Sequence, residues 1–237
     1  MSYRETLKEA AEEAGFSLSE KQLEQFSQYA DLLLETNRSL NLTAITDPEE
    51  VAVKHMVDSL LVYNPERFHN HTIVDVGTGA GFPGLPLKIY DPGMRVTLID
   101  SLQKRLNFLE QVVAKLELGQ VRCVHARAED AGKDPALREK FDVAVARAVA
   151  ALPVLAEYCL PLVRVGGVFY AMKGSRYQEE VEAAHYAVEV LGGKIRTVRP
   201  VHLPGLEDQR AIITIEKVRP TPRQYPRKAG TAVKKPL

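Results

Sequence analysis

The segment Ile73-Val74-Asp75-Val76-Gly77-Thr78-Gly79-Ala80-Gly81-Phe82-Pro83-Gly84 constrains this chain more than any other. A short β-branched run leads into a turn crowded with glycine, and Pro83 and Pro86 then open an apolar stretch. That order describes a buried strand, a turn and a helix start. In an open α/β sheet the first such turn lies where the strand order reverses, and ligands bind there. Glycine in the turn removes Cβ atoms that would hold a ligand away from the main chain.

The rest of the chain after Pro65 alternates in the same way. Strands are predicted over 72–76, 95–100, 121–125, 141–146 and 167–172, with two closing β runs over 194–203 and 210–218. Helices are predicted between them over 85–90, 103–116, 135–140, 152–163 and 176–191. Such alternation implies an α/β fold with a mostly parallel sheet covered on both faces. The last two β runs have no helix between them, which implies an antiparallel hairpin at the edge.

Residues 1–65 read as helices. Leu7, Ala10, Ala11 and Ala14 share one face, and Gly15 stops the run. Ser19 caps a longer helix carrying Leu23, Phe26, Ala30, Leu33 and Leu34, and a polar loop is expected over 37–46. Asp47-Pro48-Glu49-Glu50 is a third start that carries to about Leu61. The expected organisation is a helical cap over 1–65, a ligand-binding domain over 66–218 and a disordered tail over 219–237, where Pro220, Pro222 and Pro226 exclude regular structure.

Charge separates the tail from the body. From Lys217 onward there are seven basic residues and no acidic ones, which leaves 24 basic against 31 acidic side chains before it. A mildly acidic body with a basic end suits a polyanionic partner, or else the end is a solvated tail. Cys123 and Cys159 stand 36 residues apart, which is neither a disulfide framework nor a metal spacing. No apolar run approaches the length of a membrane span, no signal core opens the chain, and a cytoplasmic setting is expected. No histidine has a zinc spacing, so no metal is expected.

The loop itself, Gly79-x-Gly81-x-x-Gly84, also satisfies a dinucleotide pattern. Asp75 discriminates: a carboxylate at that strand end would repel a pyrophosphate but suits the amine and sulfonium of S-adenosyl-L-methionine. Asp100 ends the second strand, where a carboxylate accepts ribose hydroxyls and disfavours a 2′-phosphate. Ala128-Glu129-Asp130 follows the third strand, placed to reach an adenine edge. The fourth strand ends at Arg147 without the Asn/Asp-Pro-Pro-aromatic run that serves exocyclic amines, and neither cysteine has a Pro-Cys context. Guanine N7 fits that absence, because it carries a lone pair and no proton. The enzyme then needs to align the base and exclude water, not to supply a general base. Arg147 should touch the cofactor or O6, since a fork onto O6 and N7 would consume the lone pair.

These residues together resemble the bacterial 16S ribosomal RNA guanine-N7 methyltransferases, also called glucose-inhibited division protein B. The likeness runs through Asn41-Leu42-Thr43, His55-Met56-Val57-Asp58-Ser59-Leu60, the glycine loop, Asp100-Ser101, Lys104-Arg105, Ala128-Glu129, Ala146-Arg147-Ala148 and Met172-Lys173-Gly174. The resemblance implies a class I, Rossmann-like methyltransferase fold of seven strands and methylation of one guanine near the decoding centre. It implies cofactor contacts at Gly77, Phe82, Asp100, Ala128, Glu129 and Arg147, with Arg147 in the catalytic position. Asp75, Gly79, Gly81, Ser101 and Leu102 join that cofactor set. Arg38, Lys54, Lys173 and Arg176 are the candidates for phosphate contact with 16S rRNA or the 30S subunit. His55 and Asp58, three apart on one helix, read as a packing contact. A methyltransferase for small molecules or proteins, and a non-catalytic RNA-binding assembly factor, are the alternatives the residues leave open.

Overall fold

The computed structural model describes residues 2–237. Seven strands form one sheet: β1 (Thr72–Val76), β2 (Arg95–Asp100), β3 (Val121–His125), β4 (Phe141–Arg147), β5 (Val163–Lys173), β6 (Gly193–Val201) and β7 (Arg210–Lys217). Their order is β3-β2-β1-β4-β5-β7-β6. The first five are mutually parallel, and β7 runs antiparallel to both β5 and β6. Chain order reverses between β1 and β4, so the crevice at their carboxyl ends is the natural ligand position.

Each central strand is apolar on both faces because both are covered. Ile73, Val143, Val145, Tyr170 and Met172 pack into one core cluster, while Val74, Ala144, Ala146, Phe169 and Ala171 pack into the other. The first cluster takes in Leu7, Phe26, Leu33 and Met56, so residues 1–65 share their core with the sheet. The second is covered by the helices Leu152–Cys159 and Tyr177–Val190. Side chains alternate across the pleat, and two apolar faces therefore read as a continuous apolar run.

The helices begin as their caps dictate. Ser2 and Ser19 each form a capping box, with Glu5 and Gln22 respectively, and Asp47 caps the third helix by accepting from Glu50 N. That third run, Pro48–Val51 and Asp58–Leu60, contains a π turn over Ala52–Val57 that periodicity did not suggest.

Three expectations are corrected. The second helix, Glu20–Leu40, continues past Asn37, whose buried amide clasps the main chain of Thr43 through both its oxygen and its nitrogen at 2.9 Å. Residues 135–140 form turns, not a helix; Glu139 has φ of +53° and its N–H goes to Pro161 O. A single helical turn forms instead at Ala128–Ala131.

The third correction is the tail, which docks on the body. Thr221, Tyr225 and Ala232 are buried, and a helical turn forms over Thr231–Lys234. Arg138 donates to the carbonyls of Thr221 and Tyr225 at 2.8 Å, and Arg227 forms an ion pair at 2.6 Å with Glu157, which is itself buried. The tail's prolines forbid a long helix, as expected, but the body supplies fixed donors and acceptors to its main chain. Composition carries no sign of those partners.

Candidate functional site

The glycine loop after β1 is braced from below by Asp75. Its carboxylate is fully buried, and Oδ2 accepts from Thr78 Oγ1 at 2.7 Å and from Gly84 N at 2.8 Å. A Cβ on Gly84 would lie 2.8 Å from that oxygen, so glycine is required there for close approach. Oδ1 has no hydrogen-bond partner among the described residues. Burial pushes the Asp75 carboxyl up to about 6, against the opposing pull of Thr78, Gly84 and Arg147. Asp75 was expected to face a ligand; one of its oxygens instead holds the loop in shape. A Cβ on Gly81 would meet the Tyr29 hydroxyl and Leu85, so glycine there allows close packing against the helical segment.

Above the loop, the ends of β1, β2 and β3 line a cavity of about 290 Å³. Gly77, Asp100, Ser101, Ala128 and Glu129 lie on its wall together, with Arg105, Val149 and Tyr158. Asp100 Oδ2 accepts from Gly79 N at 2.9 Å and from Arg105 at 3.3 Å, while Oδ1 accepts from Leu102 N at 2.9 Å. The carboxylate is thereby fixed in place with one lone pair remaining, on Oδ1, since each oxygen can accept twice. Glu129 Oε1 accepts from Gly230 N at 2.9 Å, a donor the sequence reading did not foresee. Leu102 sits beside this wall and is exposed, whereas Asp130 turns to solvent.

A second cavity, of about 470 Å³, opens at the end of β4. Arg147, Lys54, His55, Asp58, Lys173, Arg176, Glu180 and Arg210 line it. Arg147 donates to Asp58 Oδ2 at 2.6 Å, and Arg210 donates to Asp58 Oδ1 at 3.2 Å. The π turn brings the carbonyl of Lys54 within 3.3 Å of the same guanidinium. Arg147 also lies over the Phe82 ring at 5.0 Å, and the His55 ring stacks on Phe82 at 4.5 Å. Phe82 is thus buried between the helical segment and the loop.

The tautomer of His55 follows from its neighbours. Arg147 Nη2, which can only donate, is 3.2 Å from Nδ1, so Nδ1 holds the lone pair and Nε2–H donates to Thr43 Oγ1 at 2.7 Å. Burial first, and the Arg147 charge second, push His55 down to about 3. The imidazole is neutral at physiological pH.

The two cavities meet at one short stretch of chain. Arg147 and Ala148 line the second, Val149 lines the first, and Ala148 between them has φ of +54°. That is an uncommon conformation for a non-glycine residue, and such positions gather at functional sites.

Of the four phosphate-contact candidates, Lys54, Lys173 and Arg176 are brought together at the second cavity. Lys173 is tied down, however, by an ion pair with Glu180 at 2.7 Å and a bond to Ala150 O at 2.8 Å. Lys54 pairs with Glu50 at 2.6 Å, and Arg176 is exposed. Arg38 is exposed at the end of its helix and lies off the cavity. Asp58 and Arg210 are the residues the sequence reading missed. The three-residue spacing of His55 and Asp58 was visible, but their arginine partners come from distant parts of the chain. No group of three or more His, Cys, Asp or Glu side chains arranged to hold a metal occurs among the described residues, and no described helix is long and apolar enough to cross a membrane.

Known proteins agree with this construction. Two archaeal fibrillarins align with the sheet: one from Aeropyrum pernix with bound S-adenosyl-L-methionine (TM-score 0.50, 19% identity, 68% of this chain and 72% of that one) and one from Methanococcus jannaschii (TM-score 0.53, 17% identity, 69% and 74%). At that identity the likeness shows the fold alone, which is the class I, Rossmann-like methyltransferase fold. A protein from Lactobacillus johnsonii named ribosomal RNA small subunit methyltransferase G is 51% identical, covering 94% of this chain and 95% of that protein. One of the same name from Acetivibrio thermocellus is 50% identical, covering 99% and 96%. The model of the GidB family, described as rRNA small subunit methyltransferase G, matches residues 22–213. With that match and two near-full-length relatives at half identity, this chain belongs to the GidB family of small-subunit rRNA methyltransferases.

Proposed function

We propose that this chain transfers a methyl group from S-adenosyl-L-methionine to N7 of one guanine in 16S rRNA, near the decoding centre, in the cytoplasm. The observation that carries the reading is the stretch 147–149, which turns Arg147 toward one cavity and Val149 toward the other. A nucleoside cofactor in the first and a base in the second would meet across it.

The residues present fit the cofactor. A cavity of about 290 Å³ suits a nucleoside, its wall carries carboxylates at the ends of β2 and β3, and the buried Oδ1 of Asp75 lacks a partner beneath the loop. When bound, S-adenosyl-L-methionine supplies an activated methyl. Asp100, held by two main-chain N–H groups, accepts one ribose hydroxyl at the free lone pair of Oδ1 and a second where the 3.3 Å bond from Arg105 yields, and Glu129 accepts from the adenine amine. Gly77, Ser101 and Ala128 shape the same wall, and Gly79 and Leu102 brace Asp100 from beside it.

The second cavity suits a base that needs no deprotonation. Asp58 and Glu180 are each ion-paired, and the basic nitrogen of His55 faces Arg147. A group able to remove a proton is thus held in other bonds, while aligned donors and positive charge are plentiful. Arg147, fixed by Asp58 and stacked on Phe82, directs its guanidinium toward O6 and leaves N7 open to react. Lys54 and Arg176 at the rim meet phosphates.

Two measurements test this. N7-methylguanine mapped in 16S rRNA by borohydride and aniline cleavage should disappear at one guanine in cells lacking the protein; unchanged cleavage at every guanine would end the reading. Asp100→Ala should weaken S-adenosyl-L-methionine binding about 100-fold by calorimetry, through loss of several hydrogen bonds to a charged group, while rRNA binding persists. A variant with full cofactor affinity would contradict the assigned pocket, and loss of cofactor binding with no effect on rRNA methylation would favour a non-catalytic RNA-binding factor.

A further inference from the structure

The docked tail reaches the wall of the carboxylate-lined cavity. Gly230 and Val233 line it together with Asp100 and Glu129. The path that brings them there is built, not incidental. Tyr225 and Ala232 are buried against the helix Leu152–Cys159 and its neighbours, and Arg227 binds Glu157 through both its guanidinium and its main-chain N–H, the latter at 2.7 Å. Gly230, at φ of +79°, then aims its N–H at Glu129 Oε1.

We propose that residues 227–235 form a working wall of the nucleoside cavity, with Gly230 orienting Glu129 and Val233 offering an apolar face to the base. The inference rests on the cofactor site given under the proposed function. Three features support it. Glu129 is only 5% exposed, and the tail's Gly230 N–H holds its Oε1 at 2.9 Å, beside the Tyr158 hydroxyl that also bonds to this carboxylate, so the tail helps to fix how it faces a ligand. Val233 is 61% exposed, a cost to an apolar side chain that a flat aromatic ligand laid against it would remove. Val149, 38% exposed, is the other large apolar group left open on the same wall. The ligand class that matches a carboxylate acceptor beside two aliphatic surfaces is an adenosine-type nucleoside, with an amine on its edge and two apolar faces. Gly230 and Val233 are positioning residues here, and they act on cofactor affinity.

The test uses the full chain, with S-adenosyl-L-methionine and its demethylated product as probes in calorimetry. Wild type is measured first: no binding at all would sink the proposed cofactor site itself and not merely this inference. Given binding, Val233→Trp should weaken both ligands about tenfold by filling the wall, and Gly230→Ala should weaken them about threefold, because a side chain strains the φ of +79° and moves the N–H off Glu129. Tyr186→Ala, which removes an exposed aromatic on the helix Tyr177–Val190, should leave affinity unchanged. In turnover, the KM for cofactor should rise while kcat and the KM for rRNA hold, and the melting temperature of ligand-free Val233→Trp should match wild type. Unchanged cofactor affinity in both tail variants would overturn the inference. So would tighter binding, which would make the tail a competitor for the pocket.

Discussion

The cavity at the ends of β1–β3 and the cavity at the end of β4 neutralise their charges by different means. In the first, Asp100 and Glu129 are answered mainly by main-chain N–H groups from Gly79, Leu102 and Gly230. In the second, side chains answer side chains: Asp58 with Arg147 and Arg210, Lys173 with Glu180, His55 with Arg147. Main-chain donors stay when a side chain is replaced, whereas a side-chain partner is left stranded. The first cavity should therefore lose affinity when altered, and the second should lose structure.

Asp58→Ala offers the largest effect. It leaves Arg147 and Arg210 facing each other without a carboxylate, and breaking such a buried pair costs about 3 kcal/mol of stability in chemical denaturation. Methyl transfer should fall at least about 100-fold as the guanidinium swings free. A stable, active Asp58→Ala would break the contrast outright.

The pH dependence of stability comes next. His55 has a folded value of about 3 against 6.5 unfolded, so it contributes stability above pH 6.5 that is lost as pH falls toward 3. Asp75 runs the other way: raised to about 6 from 3.8, it contributes stability below pH 3.8 that is lost as pH rises through 6. The stability of wild type minus that of His55→Gln should be flat above pH 6.5 and decline by about 2 kcal/mol toward pH 3, after allowance for screening. The matching difference for Asp75→Asn should have the opposite slope between pH 4 and 6. Equal slopes would remove the distinction.

Glu129→Gln sharpens the comparison from the other side. It keeps an acceptor for Gly230 N, so stability should stay within about 0.5 kcal/mol while cofactor affinity drops about fivefold. A loss of stability as large as that of Asp58→Ala would place both cavities in one class. The smallest effect is on rRNA affinity: Arg176→Ala should weaken it about threefold and lower the salt slope by about one, with Arg38→Ala nearer to wild type. A larger loss from Arg38→Ala would move the rRNA path away from the second cavity.

What could be read from the sequence follows the same division. The seven strands and the acids at the ends of β2 and β3 were legible, because strand periodicity and a strand-end position are local properties. The work of Asp75 was half legible: its place at the strand end was evident, but not that Gly84, nine residues on, would claim one of its oxygens. Arg210 was invisible as a partner of Asp58, since 152 residues separate them. Lys173 looked like a free cation because nothing local signals Glu180 as its mate. The tail misled most, since proline and lysine content describes how a segment behaves alone and not what receives it.

Arg138 grips that final stretch only by the oxygens of peptide groups, those of Thr221, Pro222 and Tyr225. A clasp that recognises no side chain is indifferent to spelling. Relatives are therefore at liberty to rewrite outward-facing positions such as Arg223, Gln224 and Lys228 while the strand of chain keeps its seat, and the attraction of this end for polyanions becomes adjustable without disturbing the route it follows.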